Sequence, residues 1–223
     1  MEEKEEMKFG PEEDKLYRLL DPRICEYKRP GEPFVLRETD KAGKAAVTIE
    51  TDLPCFTICS ADTAGTLPFF TKDWDAVTKC ADHIVFLFDR EYKKWSLHIF
   101  ELKRSIDEKK WNNTVVKQFS GALVRAFAIG GIMRIYDFDG IYLHCCYCEN
   151  KADLSRRHAR LGRPAPEDFL KKPVDQKVYS NLMTKNCPIR MEREKPETEP
   201  CATVRLDSGG CTALYLSAKQ HLL

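Results

Sequence analysis

The chain has 223 residues, 36 Lys and Arg against 35 Asp and Glu, a formal net charge of +1, and 43% hydrophobic residues. This fits one domain, or one domain with a small appendage, and enough apolar content for a sizeable core. The near-neutral total argues neither for nor against a nucleic-acid partner. No run approaches the roughly 20 apolar residues of a membrane span, and the start Met-Glu-Glu-Lys-Glu-Glu is the opposite of a signal peptide, so the expectation is a cytoplasmic protein without a membrane partner. Its ten cysteines are then expected as reduced thiols.

In chain order, residues 1–10 read as a frayed, acidic lead-in. Pro11 opens a helix over 12–20, with early acids suiting its dipole. Short strands follow at 34–37, 45–50 and 54–59, then a helix at 71–80. Two β-favouring runs around Arg90-Glu91-Tyr92-Lys93 predict a hairpin over 83–102. Asn112 or Asn113 caps a helix over 114–129, whose apolar positions recur at helical spacing. Gly130-Gly131 stops it, and a second hairpin, 132–136 with 141–147, turns at Asp137-Phe138-Asp139-Gly140. Strand, helix and strand across 96–136 have the form of a right-handed crossover. Residues 150–200 read as loops with helices near 152–161 and 166–184, then an exposed linker over 190–200. A last hairpin joins 204–206 and 212–216. The division expected is a core over 1–149 and a C-terminal region over 150–223 packed on the same domain.

The hairpin carries the chemistry. With its loop at 90–93, paired residue numbers sum to 183, which sets Asp82 opposite Glu101. Directly opposed side chains have Cβ atoms roughly 5 Å apart, and like charges there repel. Side chains alternate along a strand, so Lys103 shares the face of Glu101. Two acids and a base converging at a strand end call for a bound divalent cation. An isolated Glu-x-Lys is otherwise just a solvated strand end.

Asp82, eighteen intervening residues, Glu101-Leu102-Lys103 and then an amphipathic helix resemble the core of the PD-(D/E)XK nuclease superfamily, over about residues 80–138. The resemblance implies an α/β fold with a mixed central sheet flanked by helices, of the restriction-endonuclease-like type. It implies that Asp82, Glu101 and the Leu102 carbonyl hold Mg²⁺ or Mn²⁺, a set of hard oxygen donors suited to such ions, and that Lys103 serves the attacking water. Gln118, on the following helix, matches the glutamine of the RecB-like members, where it positions substrate or an acid. The tyrosine those members carry four residues later is Ala122 here. Glu12 or Glu13 is the weaker choice for a further acid. The expected function is hydrolysis of phosphodiester bonds of nucleic acid, preferentially DNA, in defence, repair or mobile-element biology, with a homodimer left open. The rival is a nuclease-fold protein without activity that serves as an interaction module.

Other clusters read less specifically. Nine Lys and Arg against four acids over 90–125, and seven against three over 151–172, can attract phosphate. Arg156, Arg157, Arg160 and Arg163 are phosphate-gripping candidates, and Trp111 is a candidate for base stacking or for capping the core. Cys145 and Cys148 have C-x-x-C spacing but sit in a strand, where they point to opposite faces. Cys187, Cys201 and Cys211 are widely spaced. Cysteine-ligated metal and a Cys–His nucleophile using His83, His98, His144 or His158 lack a matching pattern. His98 is expected on the sheet face opposite Glu101, against the helix.

Overall fold

The apolar run Ile84-Val85-Phe86-Leu87-Phe88 and the largely apolar segment 95–100 flank a charged turn and fold as one long hairpin, and everything else is built around it. A computed structural model describes residues 8–38, 45–58, 78–151, 170, 183–193, 195, 198–207 and 209–214. The hairpin pairs β5 (His83–Asp89) with β6 (Lys94–Ile106). Its register sets Ile84 against Ile99, Phe86 against Leu97 and Phe88 against Trp95. The turn is held by the Asp89 carboxylate, whose Oδ1 accepts from the backbone N–H groups of Glu91 at 3.0 Å and Tyr92 at 3.2 Å.

Before the hairpin come helix α1 (Pro11–Tyr17) and strands β1 (Cys25–Lys28), β2 (Phe34–Arg37), β3 (Ala46–Glu50) and β4 (Cys55–Ile58). After it come helix α2 (Glu108–Ile132), β7 (Gly140–Asn150), β8 (Thr184–Asn186), β9 (Ile189–Arg190), β10 (Cys201–Asp207) and β11 (Gly210–Leu214). The large sheet runs β1-β4-β5-β6-β7-β8, with β9 also on β7, and a second sheet runs β11-β10-β3-β2. Five strand pairs are antiparallel, and four, β6–β7, β7–β8, β7–β9 and β3–β10, are parallel. The fold is thus α+β with mixed sheets.

Both faces of the large sheet are buried, which is why β5 and β6 read as continuous apolar runs. One face packs on α2 through Phe119, Ala122, Leu123 and Ala126, together with Ile84, Phe86, Leu97 and Ile99. The other face, with Val85, Leu87, Phe100, Leu102 and Cys146, packs on Leu36, Val47, Ile49, Val204 and Leu206 of the small sheet. Truncating Phe119, which is fully buried, to Ala would cost about 3–5 kcal/mol. The apolar length of α2 would suffice to cross a membrane, but half of its apolar window is buried inside the fold.

Several expectations change. Of the lead-in expected over 1–10, residues 1–7 lie outside the described residues, and Phe9 is not frayed: it is 3% exposed and meets the rings of Tyr17, Tyr27, Phe56, Phe88 and Trp95. The cap of α2 is Asp107, whose Oδ1 accepts from Lys110 N–H at 2.7 Å. Asn112 and Asn113 instead lie in a π-helical turn over Trp111–Val115. Gly130-Gly131 does not stop the helix, and there is no second hairpin: residues 133–139 lead directly into β7, which is parallel to β6. Residues 183–191 supply β8 and β9, and Met191 is buried, so the start of the linker expected over 190–200 is docked. The helices expected at 71–80, 152–161 and 166–184 fall almost entirely outside the described residues, as do Arg156, Arg157, His158, Arg160 and Arg163.

Candidate active site

Continuing the β5–β6 register by one residue brings Asp82 across from Glu101. Asp82 Oδ2 accepts a charge-assisted hydrogen bond from the Leu102 backbone N–H at 2.7 Å. This bond holds the carboxylate at the end of β5. In a strand the N–H and C=O of one residue point to the same edge, so the Leu102 carbonyl is directed toward the Asp82 side.

Glu101 is 0% exposed. Its Oε1 lies against Lys103 Nζ in an ion pair, while Oε2 has no hydrogen-bond partner among the described residues. Burial first, and the Asp82 charge second, push this carboxyl up to about 8. Burial alone would pull Lys103 down, but the charges of Glu101 and Asp82 outweigh it, and the ammonium is held above its ordinary value. Lys103 is therefore a charged donor and not a neutral base. Its side chain is 13% exposed and provides a route from Glu101 toward solvent.

Gln118 sits behind Asp82. Its backbone carbonyl accepts from Ala81 N–H at 3.0 Å, and its Nε2 donates to the Cys80 carbonyl at 3.4 Å. Arg125, two turns further along the same face of α2, donates to the Lys79 carbonyl at 3.4 Å. Both side chains brace residues 79–81, immediately before Asp82.

The charge at this end is shared more widely than the sequence suggests. Glu38, just after β2, adds negative charge felt by Glu101 and Lys103. It arrives because the small sheet is tied here, with His83 Nε2 2.9 Å from the Arg37 carbonyl oxygen. Lys110 donates to the Ser105 carbonyl at 3.0 Å, and burial followed by the Lys103 charge pulls its own ammonium down. No local motif marks either residue, since both come close only through the packing of the two sheets and the start of α2.

Glu12 and Glu13 do not belong to this site. They line a cleft of about 380 Å³ with Lys94, Trp95 and Arg134, at the turn end of the hairpin. A second cleft, of about 290 Å³, opens at the same end around Asp89, Lys94 and Asp139. Asp82 and Glu101 lie at the other end of β5, some seven residues or about 20 Å away. Asp139 is engaged by Lys94 at 2.7 Å, which accounts for it without a calcium loop. Trp111 is 2% exposed and packs edge-on to Phe119, as a core residue.

The donors at the Asp82 and Glu101 end of the sheet are all oxygen atoms. Two opposed carboxylates, one with a buried oxygen lacking a partner, plus a carbonyl on the same side form an all-oxygen set of the kind Mg²⁺ and Mn²⁺ take. The lysine ammonium satisfies only one carboxylate oxygen.

The sheet face turned away from α2 carries a second polar group. His98 lies there as expected, fully buried, but against the small sheet and not against the helix. Ser96 Oγ is 3.2 Å from His98 Nε2, His98 Nδ1 is 3.1 Å from His144 Nε2, and His144 Nδ1 is 3.5 Å from Cys211 Sγ. Burial pulls His98 down to about 3 and His144 well below its ordinary value, so both imidazoles are neutral. Cys145 and Cys146 are buried on opposite faces, and burial pushes both thiols up.

Comparison with protein-family models, with curated proteins and with solved structures returns no match for this chain. The functional reading therefore stands on the side-chain geometry.

Proposed function

We propose that the protein is a metal-dependent nuclease with a PD-(D/E)XK-type centre, hydrolysing phosphodiester bonds of nucleic acid with DNA as the expected substrate. The observation that carries this reading is Glu101: a carboxylate with no exposure, opposite Asp82, whose Oε2 has no hydrogen-bond partner among the described residues. A buried acid of this kind is costly unless a cation is part of the design. Asp82, Glu101 and the Leu102 carbonyl would hold Mg²⁺ or Mn²⁺. When bound, the ion supplies polarisation of the phosphoryl group and a water of lowered pKa.

The chain's own residues supply the rest. Asp82 is held by the Leu102 N–H, and Gln118 and Arg125 brace the residues immediately before it. Lys103 retains its proton, so it donates to an anionic phosphoryl oxygen and offsets charge that develops during cleavage.

The test is cleavage of single- and double-stranded DNA and RNA with Mg²⁺ or Mn²⁺, alongside calorimetric Mn²⁺ binding. Glu101→Ala and Glu101→Gln should lower metal-dependent cleavage by roughly 100-fold or more and keep the folded circular-dichroism spectrum. A wild-type chain that neither binds Mn²⁺ nor cuts any of these substrates would leave the fold as a non-catalytic interaction module.

A further inference from the structure

We propose that His144 Nδ1, Cys187 Sγ and Cys211 Sγ form a zinc site that clamps the C-terminal strands onto the core. These three ligand atoms all lie within 4.8 Å of one another. They come from three separate places: His144 from β7, Cys187 from the residue following β8, and Cys211 from β11. In the strand orders β8 closes one side of the large sheet and β11 one side of the small sheet, so one ion ties the two sheets together there.

Ligand spacing supports a tetrahedral ion. With Zn–S near 2.3 Å and Zn–N near 2.0–2.1 Å, a tetrahedral edge between sulfur and nitrogen is about 3.5 Å. The His144 Nδ1 to Cys211 Sγ separation is 3.5 Å. Cys187 is anchored at the same level by its backbone N–H, which donates to the Leu143 carbonyl at 2.8 Å.

The outer shell is also built. A ligating imidazole normally has its other nitrogen held by a hydrogen-bonding partner, which fixes the tautomer. Here His144 Nε2 meets His98 Nδ1, and His98 Nε2 meets Ser96 Oγ. If the proton on each ring sits on Nε2, His144 Nδ1 presents its lone pair to the thiols. Phe100 stacks on the His144 ring at 4.3 Å and fixes its plane. Soft thiolates with one imidazole select Zn²⁺ over Mg²⁺ or Mn²⁺, so this site and the Glu101 centre take different metals. Three protein ligands leave a fourth position for water.

The experiment is metal analysis of the full chain purified under reducing conditions, then chelator treatment and titration with Zn²⁺ and Co²⁺. One zinc per chain is expected. Cobalt should give a thiolate charge-transfer band and the intense visible bands of tetrahedral coordination. Cys187→Ser and Cys211→Ser should each lose the charge-transfer intensity and most zinc affinity, whereas Cys201→Ser, outside the cluster, should keep both. Glu101→Ala should bind zinc like the wild type, so failure of the nuclease reading and failure of this one are told apart. Where a serine variant misfolds, the wild-type chain decides: no zinc uptake, or cobalt binding without a thiolate band, overturns the site. A Cys187–Cys211 disulfide in protein kept reduced throughout, or full zinc binding by the double serine variant, overturns it equally.

Discussion

At the residue scale, Glu101 sets the chemistry because its proton and a cation compete for the same buried carboxylate. With the carboxyl pushed up to about 8 by burial and by Asp82, metal binding below that pH must release a proton. The apparent affinity for Mn²⁺ should therefore rise about tenfold per pH unit up to roughly pH 8 and level off above it. Calorimetry in buffers of different ionisation enthalpy would show about one proton released per ion at pH 6.5. A pH-independent affinity would refute Glu101 as a ligand. Glu101→Gln should lose cleavage by roughly 100-fold or more, the scale of several kcal/mol of transition-state charge stabilisation. Asp82, Glu101 and Lys103 were legible because a hairpin register is local and arithmetic: a four-residue loop fixes every pair outward from it. Glu38, Lys110 and the His144, Cys187 and Cys211 cluster were not. Their proximity depends on how β2, β8 and β11 pack, and 42 residues separate His144 from Cys187 with no spacing rule to link them.

At the element scale, β2, β3, β4 and β5 lie within a residue or so of their expected bounds, since burial of one or both sheet faces writes itself into the residue pattern, whereas β1, β8 and β9 were not expected and the strand expected at 132–136 is absent. The end of α2 was misread for an identifiable reason. Glycine pairs suggest a stop, but Gly130 and Gly131 occupy the last helical turn. The residue in the left-handed conformation is Arg134, with φ 57°. Ile135 N–H donates to the Gly130 carbonyl at 2.7 Å and Arg134 N–H to the Gly131 carbonyl at 3.3 Å, the two bonds of a Schellman ending. Gly130 cannot easily be larger, because an added Cβ would meet the Ile135 carbonyl oxygen at 3.2 Å. A non-glycine residue in the left-handed region costs roughly 1–2 kcal/mol, part of which glycine gives back through its freer unfolded chain. Arg134 is exposed, so Arg134→Gly should stabilise the fold by about 0.5–1 kcal/mol, read as a higher urea midpoint at unchanged slope. A lower midpoint would mean that the Arg134 side chain contributes more than its backbone costs.

At the scale of the whole molecule, three layers bury titratable groups on both faces of one sheet, and the two faces respond to pH in opposite senses. On the small-sheet face, His98 and His144 are held neutral by burial, His98 down to about 3. Below the ordinary imidazole value of 6.5 the unfolded chain binds protons that the folded chain refuses. Their contribution is thus complete above pH 6.5 and lost as the pH falls. On the helix face, Glu101 has its pKa raised from 4.5 to about 8. The folded chain keeps a proton that the unfolded chain releases, so this contribution is complete below 4.5 and lost as the pH rises through 8. Two imidazoles outweigh one carboxyl between these limits, and the metal-free protein should be most stable near pH 6.5. From there to pH 8 its unfolding free energy should fall by up to about 1.4 kcal/mol per pH unit. Buried thiols such as Cys55, pushed up from 9.0 to about 12, add to the loss only above pH 9. Urea unfolding in chelator at intervals from pH 5 to 8.5 reads the curve directly. Glu101→Gln should flatten the alkaline limb and leave the acid limb unchanged, and saturating Mn²⁺ should reverse the alkaline limb by favouring the ionised carboxylate in the folded state. Wild-type stability that climbs steadily from pH 6.5 to 8 in chelator would show that Glu101 is already ionised without a cation, and would remove the physical case for a metal between it and Asp82.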